Sequence, residues 1–204
     1  PPLSKKQTLT RIYYYNKNLV LEIINNEIKR RGQVFFVDNS VYNVKKACSF
    51  ILKAFPFLRV SFLHSKQDDG EIIKTMALFR NKKIDVLVST TIVESGIDVG
   101  SANTIIINNA DCFGLSQLYQ LRGRVGRGSV QAHAFLLVSK KNHSTATPRL
   151  SSLMKNQSLG SGYNVAVDDL NIRGAGAVFG LKQSGSSAVG FEYYSKLVAL
   201  AIKN

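Results

Sequence analysis

The sequence predicts a three-layer α/β domain, a parallel sheet with helices on both faces, followed by a helical hairpin appendage. Short, fully apolar runs such as Ile84 to Ser89 and Thr104 to Ile107 are of strand length, and amphipathic segments separate them. Strands without a polar face are buried on both sides, which requires helices above and below the sheet. Near residue 140 the composition changes, and a polar stretch from Lys140 to Pro148 leads into a glycine-rich tail. The expected division is therefore 1–140 for the sheet domain and 141–204 for the appendage.

The elements follow in order. Thr8 to Tyr15 alternates polar and apolar residues, as an edge strand does. Leu19, Ile23, Ile24 and Ile28 recur at helical spacing, with Lys29, Arg30 and Arg31 in the last turn and Gly32 as the stop. Gln33 to Val37 is a short strand, Val41 to Phe55 a helix ended by Pro56, and Arg59 to Leu63 a strand. Asp68 opens a helix with acids in its first turn, where the helix dipole favours them, and that helix carries Ile72, Ile73, Met76 and Phe79. The strands at 84–89 and 104–107 come next, then a helix from Gly114 to Arg122 and a strand from Ala132 to Val138. In the tail, Leu150, Leu153 and Met154 have helical spacing, and further helices are expected at Val165 to Ile172 and Phe191 to Ile202.

The 204 residues are 45% hydrophobic and 20% charged, which suits one globular domain with a small extension. No apolar run is long enough to cross a bilayer. The first residues lack the apolar stretch of a signal peptide, and the missing initiator Met suggests an excised piece. Two cysteines, Cys48 and Cys112, are too few for a disulfide framework, and both sit in apolar patterns as buried reduced thiols would. The histidines His64, His133 and His143 lack metal-ligand spacing. A net charge of +14 points to a polyanionic partner, because phosphate contacts release counterions. Charge alone does not separate DNA from RNA or from an anionic membrane.

Ligands of parallel sheets bind beyond the strand carboxyl ends, so the loops after Val37, Leu63, Ser89 and Ile107 are the expected seat of chemistry. Two strings stand out. Gln117-Leu118-Tyr119-Gln120-Leu121-Arg122-Gly123-Arg124-Val125-Gly126-Arg127 packs three arginines and two glycines into six residues, which cannot face a core. Glycines let backbone approach a ligand, and a planar guanidinium clamps phosphate oxygens. The competing reading is a solvated arginine-rich turn. In the second string, Val86 to Val99, a buried strand runs into Thr90, a donor for a phosphate, and Asp98, an acceptor for a ribose hydroxyl. Alone it could be an ordinary strand and loop.

Together the strings resemble motifs V and VI of superfamily-two helicases, and Gln33 to Asn39 resembles motif IV. The wording of Arg31-Gly32-Gln33-Val34, of Ala102 to Ile107, and of Phe113-Gly114-Leu115 before the arginines is similar to the transcription-repair coupling factor family. The fork-reversing helicase RecG shares the arginine string and differs more elsewhere. Asp169 to Gly176 followed by Gly180 to Gly185 looks like the translocation motif of both families; otherwise it is a glycine-rich linker.

The resemblance implies a RecA-like, P-loop NTPase-type lobe, the second of two in an ATP-dependent double-stranded-DNA translocase. It implies that Arg127 is the arginine finger on the γ-phosphate and Arg124 its companion. Gly96, Asp98 and Gln120 become nucleotide-binding positions. Thr90, Asn39 and His64 become DNA contacts, while Arg173 and Gln183 couple lobe closure to movement along the duplex. The family's task is to push stalled RNA polymerase off a lesion and recruit excision-repair proteins, through modules outside this chain. No membrane is involved, and the implied setting is intracellular, in a bacterial-type cytoplasm and nucleoid or an organelle such as a plastid. The chain departs from the family at Ser65-Lys66-Gln67, Asp38-Asn39-Ser40 and Gly100, which bears on the motif IV and IVa contacts.

The string G-x-x-x-x-G-K-[ST] does not occur, nor does an Asp-Glu pair of the metal-binding kind. The superfamily carries both on its first lobe. ATP and Mg2+ would therefore be bound mainly by that lobe in cis, and this chain alone is expected to be inactive. Two rival readings are a RecG-type branch-migrating helicase and a motor-dead nucleic-acid-binding module.

Overall fold

A computed structural model describes residues 7–91, 99–126, 130–139, 150–155, 164 and 167–169. The elements are β1 (Leu9–Tyr14), α1 (Lys17–Lys29), β2 (Val34–Val37), α2 (Val41–Ala54), β3 (Val60–Leu63), α3 (Asp69–Arg80), β4 (Val86–Ser89), β5 (Thr104–Ile107), α4 (Leu115–Gly123) and β6 (His133–Val138), with a 3-10 turn at Ala110–Cys112. Residues 150–155 are helical, as are 164 and 167–169. All strand pairs are parallel, in the order β1-β6-β5-β2-β4-β3.

Side chains alternate across the sheet and divide the core into two layers. Phe35, Val37, Leu87, Ile105, Ile107, Ala134 and Leu136 point to one face, where Met76 and Phe79 of α3 and Leu115, Leu118 and Leu121 of α4 cover them. Val34, Phe36, Val86, Val88, Ile106, Phe135 and Leu137 point to the other, under α1 and α2. The three-layer arrangement expected from the apolar strands is thus present. Leu150 and Leu153 join the layer that holds α4.

Several local expectations differ in detail. The left-handed residue that ends α1 is Arg31, at φ 60°, not Gly32. The Arg31 amide donates to the Ile28 carbonyl and the Gly32 amide to the Glu27 carbonyl, a double bond pattern that reverses the chain. Gly32 is needed for space instead, because a Cβ there would collide with the Glu27 carboxylate. That carboxylate is buried and held by Arg30 Nε at 2.8 Å and Thr104 Oγ1 at 2.5 Å. Cys48 is buried as expected, whereas Cys112, at the end of the 3-10 turn, is exposed. Ile73 of α3 is 67% exposed, off the face that Met76 and Phe79 bury.

Candidate functional site

The strand registers fix one end of the site. Val37, Leu63, Ser89 and Ile107 lie side by side as the last residues of β2, β3, β4 and β5. The residues that follow therefore emerge at one level on the carboxyl rim. The Asp38 amide donates to the Ser89 carbonyl (3.0 Å), Thr90 to Leu63 (3.1 Å) and Asn108 to Val37 (2.8 Å). Three predicted nucleic-acid residues share this rim. Asn39 is exposed at the mouth of α2. Thr90 is 6% and His64 8% exposed, and Thr90 Oγ1 and His64 Nδ1 are buried with no hydrogen-bond partner. A buried polar atom left unpaired costs about 1–3 kcal/mol. The His64 backbone amide is fixed by Gln67 Oε1 at 2.8 Å.

Beside these residues is a hub that sequence reasoning did not assign. Asp38 is fully buried. Its Oδ1 accepts from the Ser40 amide (2.9 Å) and Asn43 Nδ2 (3.0 Å), and its Oδ2 from Asn108 Nδ2 (2.6 Å) and Asn109 Nδ2 (3.2 Å). Asn109 takes a left-handed conformation, φ 50°, to reach it. Asp38 also pushes the Tyr15 phenol above its ordinary value, after burial, which is the larger cause. The sequence signal was present as an acid directly after an apolar strand, but two of its four partners, Asn108 and Asn109, lie 70 and 71 residues away.

The arginine string occupies a different place. α4 begins just after the rim, where the Gly114 amide donates to Gln117 Oε1 at 3.0 Å, and runs down the flank of the sheet for nine residues. Its far end turns at the amino-terminal side of β5 and β6. The Gly126 amide donates there to the Ala102 carbonyl at 3.0 Å, and the Ala102 amide to the Val99 carbonyl at 2.9 Å. The turn containing Arg124 thus meets the stretch where the second string returns to the sheet. Loops beyond the carboxyl ends therefore account for Thr90, Asn39 and His64 but not for Arg124. Gly126 adopts φ +75°, and a Cβ on it would collide with Ala132, so this glycine serves the turn itself.

The arginines also differ from one another. Arg122 is 6% exposed, contrary to the expectation that the string avoids the core. Its guanidinium lies 4.7 Å from the centre of the Tyr119 ring. Burial lowers its pKa, and Tyr119 partly offsets this. A planar, weakly hydrated guanidinium tolerates such stacking, which a count of charges in the sequence does not register. Arg124 is half-buried at the C-cap of α4, its amide bonded to the Leu121 carbonyl at 3.1 Å. Gln120 is exposed on α4. Gly96, Asp98, Arg127, Arg173 and Gln183 lie outside the described residues. No group of three or more His, Cys, Asp or Glu gathers as a metal site among the described residues.

The model of the helicase conserved C-terminal domain matches residues 16–129, more than half of the 204-residue chain. The transcription-repair-coupling factor of Myxococcus xanthus is 43% identical over 205 residues, covering 99% of this chain and 17% of that protein. The Escherichia coli K12 protein of that name is 42% identical, over 99% of this chain and 18% of its own length. The chain thus spans under a fifth of either relative. A structure of RecG bound to a three-way DNA junction superposes with TM-score 0.75 and 35% identity, covering 97% of this chain and 26% of that one. The parallel sheet, its two helical layers and the match across both strings make the chain a RecA-like lobe and a member of the helicase conserved C-terminal domain family.

Proposed function

We propose that this chain is the second motor lobe of an ATP-dependent double-stranded-DNA translocase. The observation that carries the reading is the contact between the arginine turn and the returning end of the second string, the 3.0 Å bond from the Gly126 amide to the Ala102 carbonyl. It brings Arg124 to the flank where the second string returns to the sheet at Val99. That flank would face a first RecA-like lobe in cis. ATP and Mg2+ would be held mainly by that lobe, with Arg124, Arg127 and Gln120 completing the pocket from this side. Guanidinium groups suit a polyphosphate, since they stay charged and offer paired donors.

The carboxyl rim would follow the DNA. Thr90 and His64 lie there, more than nine-tenths buried, and exposed Asn39 stands beside them. Arg173 and Gln183 would relay lobe movement to the duplex. Within the complete protein, the lobe's work would be to displace stalled RNA polymerase and bring excision-repair proteins to the lesion, as the resemblance to the coupling-factor family implies. RecG-type branch migration is the second reading, favoured by the 35% identity to a junction-bound RecG. An upstream wedge domain in place of a polymerase-binding one would select it.

The test is the ATPase rate of the complete protein with and without duplex DNA, wild type against Arg127→Ala. Arginine fingers contribute about 10³ to 10⁵ in turnover. The variant is expected to lose DNA-stimulated hydrolysis and movement while keeping its fold. A variant that hydrolyses ATP at the wild-type rate removes Arg127 from the nucleotide pocket, and the motor reading with it.

A further inference from the structure

The Asp38 hub joins parts of the chain that neither string explains. Its carboxylate is fully buried at the end of β2, and among the described residues its four hydrogen-bond donors are all neutral. Burying a carboxylate away from a cation is costly unless hydrogen bonds satisfy it. Four converging donors require a group that only accepts. An amide in its place would turn its own NH2 toward one pair of them.

The donors come from two sides. On the first, the Ser40 amide and Asn43 Nδ2 fasten the start of α2 to Oδ1. Asn39 lies between Asp38 and Ser40, so both of its neighbours are tied to one carboxylate. The Asp38 amide also reaches the Ser89 carbonyl, one residue before Thr90. On the second side, Asn108 and Asn109 bring Oδ2 its donors from beyond β5. Asn109 caps the 3-10 turn, and its carbonyl accepts from the Cys112 amide at 2.8 Å. That turn runs through buried Phe113 into Leu115, the first residue of α4, and both side chains are set in the core. A displacement of α4 therefore moves Asn109, and through Asp38 it moves the backbone on either side of Asn39. Arg124 stands at the opposite end of the same helix.

We propose that Asp38 is a positioning residue that passes movement of α4 to the rim at Asn39 and Thr90, so that nucleotide at the arginine turn and duplex DNA at the rim alter each other's affinity. The inference rests on the proposed motor reading, which places those two ligands. Coupling of this kind is carried by packed side chains and hydrogen bonds, and it is reciprocal between the two sites. The link that matters is the one from Asp38 to Asn108 and Asn109, because the bonds to Ser40 and Asn43 stay within one side of the rim.

The test is the affinity of the complete protein for a labelled duplex, read by fluorescence anisotropy with and without a non-hydrolysable ATP analogue. Asn108→Leu with Asn109→Gly removes both donors on the β5 side, and glycine adopts the φ of 50° found at Asn109 without strain, so the turn is kept. The analogue should change wild-type affinity by a factor of about 5 to 150, and that of the variant by less than about twofold. Affinity without nucleotide and the unfolding temperature should match the wild type. A second pair of proteins covers a failure of this variant to fold. Asn108→Asp alone sets two carboxylates against each other and should abolish the coupling, and adding Asp38→Asn exchanges acceptor and donor and should restore it. Coupling that persists in the cut variant, or that the exchange fails to restore, overturns the proposal. Loss of duplex affinity without nucleotide, in step with loss of coupling, overturns it in favour of a purely structural hub. A wild type whose duplex affinity ignores the analogue counts against the motor reading itself, whereas failure of the hub appears only in the variants.

Discussion

Arg122 and Gln120 sit two positions apart on α4, yet burial sorts them into different roles. Arg122 packs its stem into the core and its plane on Tyr119. Long basic side chains contribute through such packing as well as through charge. Arg122→Ala is expected to lower unfolding free energy by about 1–2 kcal/mol, whereas exposed Gln120→Ala should stay within about 0.5 kcal/mol. Urea midpoints of the two variants decide this. Gly126 is held by both its positive φ and its proximity to Ala132. Gly126→Ala should cost about 1–3 kcal/mol. Adding Ala132→Gly should recover only part of the loss, since it relieves the collision and not the backbone angle. Full recovery in thermal unfolding would assign the whole cost to the collision.

At the scale of elements, the amino-terminal edge of the sheet carries a pH-dependent contact. His133 opens β6, and its pKa is lowered by burial first and then by Arg30 and Arg11. A histidine that resists protonation when folded costs nothing while both states are neutral. As pH falls below about 6.5, the ordinary value, the unfolded chain takes up the proton and the folded chain does not. Stability should therefore decline through that window, and His133→Gln should flatten the decline. The pair between Arg59 and Asp85, 2.6 Å apart, acts in another range. Hydrogen bonding to Arg59 is the main cause of the lowered Asp85 pKa. Its contribution is complete above the ordinary carboxylate range and fades only as pH falls through the lower folded value. Denaturant midpoints measured from pH 7.5 to pH 3, for wild type and His133→Gln, separate the two windows.

The same scale shows what the sequence reveals. β5 is legible to the residue, because Thr104 to Ile107 has no polar face and could only be a central strand. The acids after Asp68 mark the start of α3 for an equally local reason. The end of α1 is less legible, since a glycine there serves either a left-handed turn or a crowded neighbour. Gly32 serves Glu27, and nothing near it in sequence announces the Thr104 hydroxyl that fixes that carboxylate. The candidate site divides in the same way. Thr90 and Asn39 follow strands and were placed by the rule for parallel sheets. Arg124 was identified by composition, but its position depends on the direction of α4. Asp38 depends on Asn108, which only the β2–β5 register brings beside it.

At the scale of the whole molecule, the proposed functions lie at opposite ends of one rigid strut. α4 joins the rim to the arginine turn over nine residues, about 13 Å of helix. A nucleotide-driven shift at the turn would be carried to the rim as a rigid-body motion. Duplex binding should depend on net charge and not on base order. With +14 on the chain, log affinity should fall linearly and steeply with log salt concentration, without sequence preference among duplexes. Salt-independent binding would remove phosphate tracking from the account.

The sheet is closed by its first described strand, for Leu9 pairs with His133 and Tyr14 with Val138. During vectorial synthesis, β1 leaves the ribosome long before β6 exists. At about 5–20 residues per second, the 124 positions from Gln7 to Gln131, a separation that the Gln131 side chain bridges just outside the strands, take roughly 6–25 s to appear. Until then a tyrosine-rich strand has no neighbour to pair with. Nascent chains of this lobe are thus exposed to misassembly in a way that the finished fold conceals.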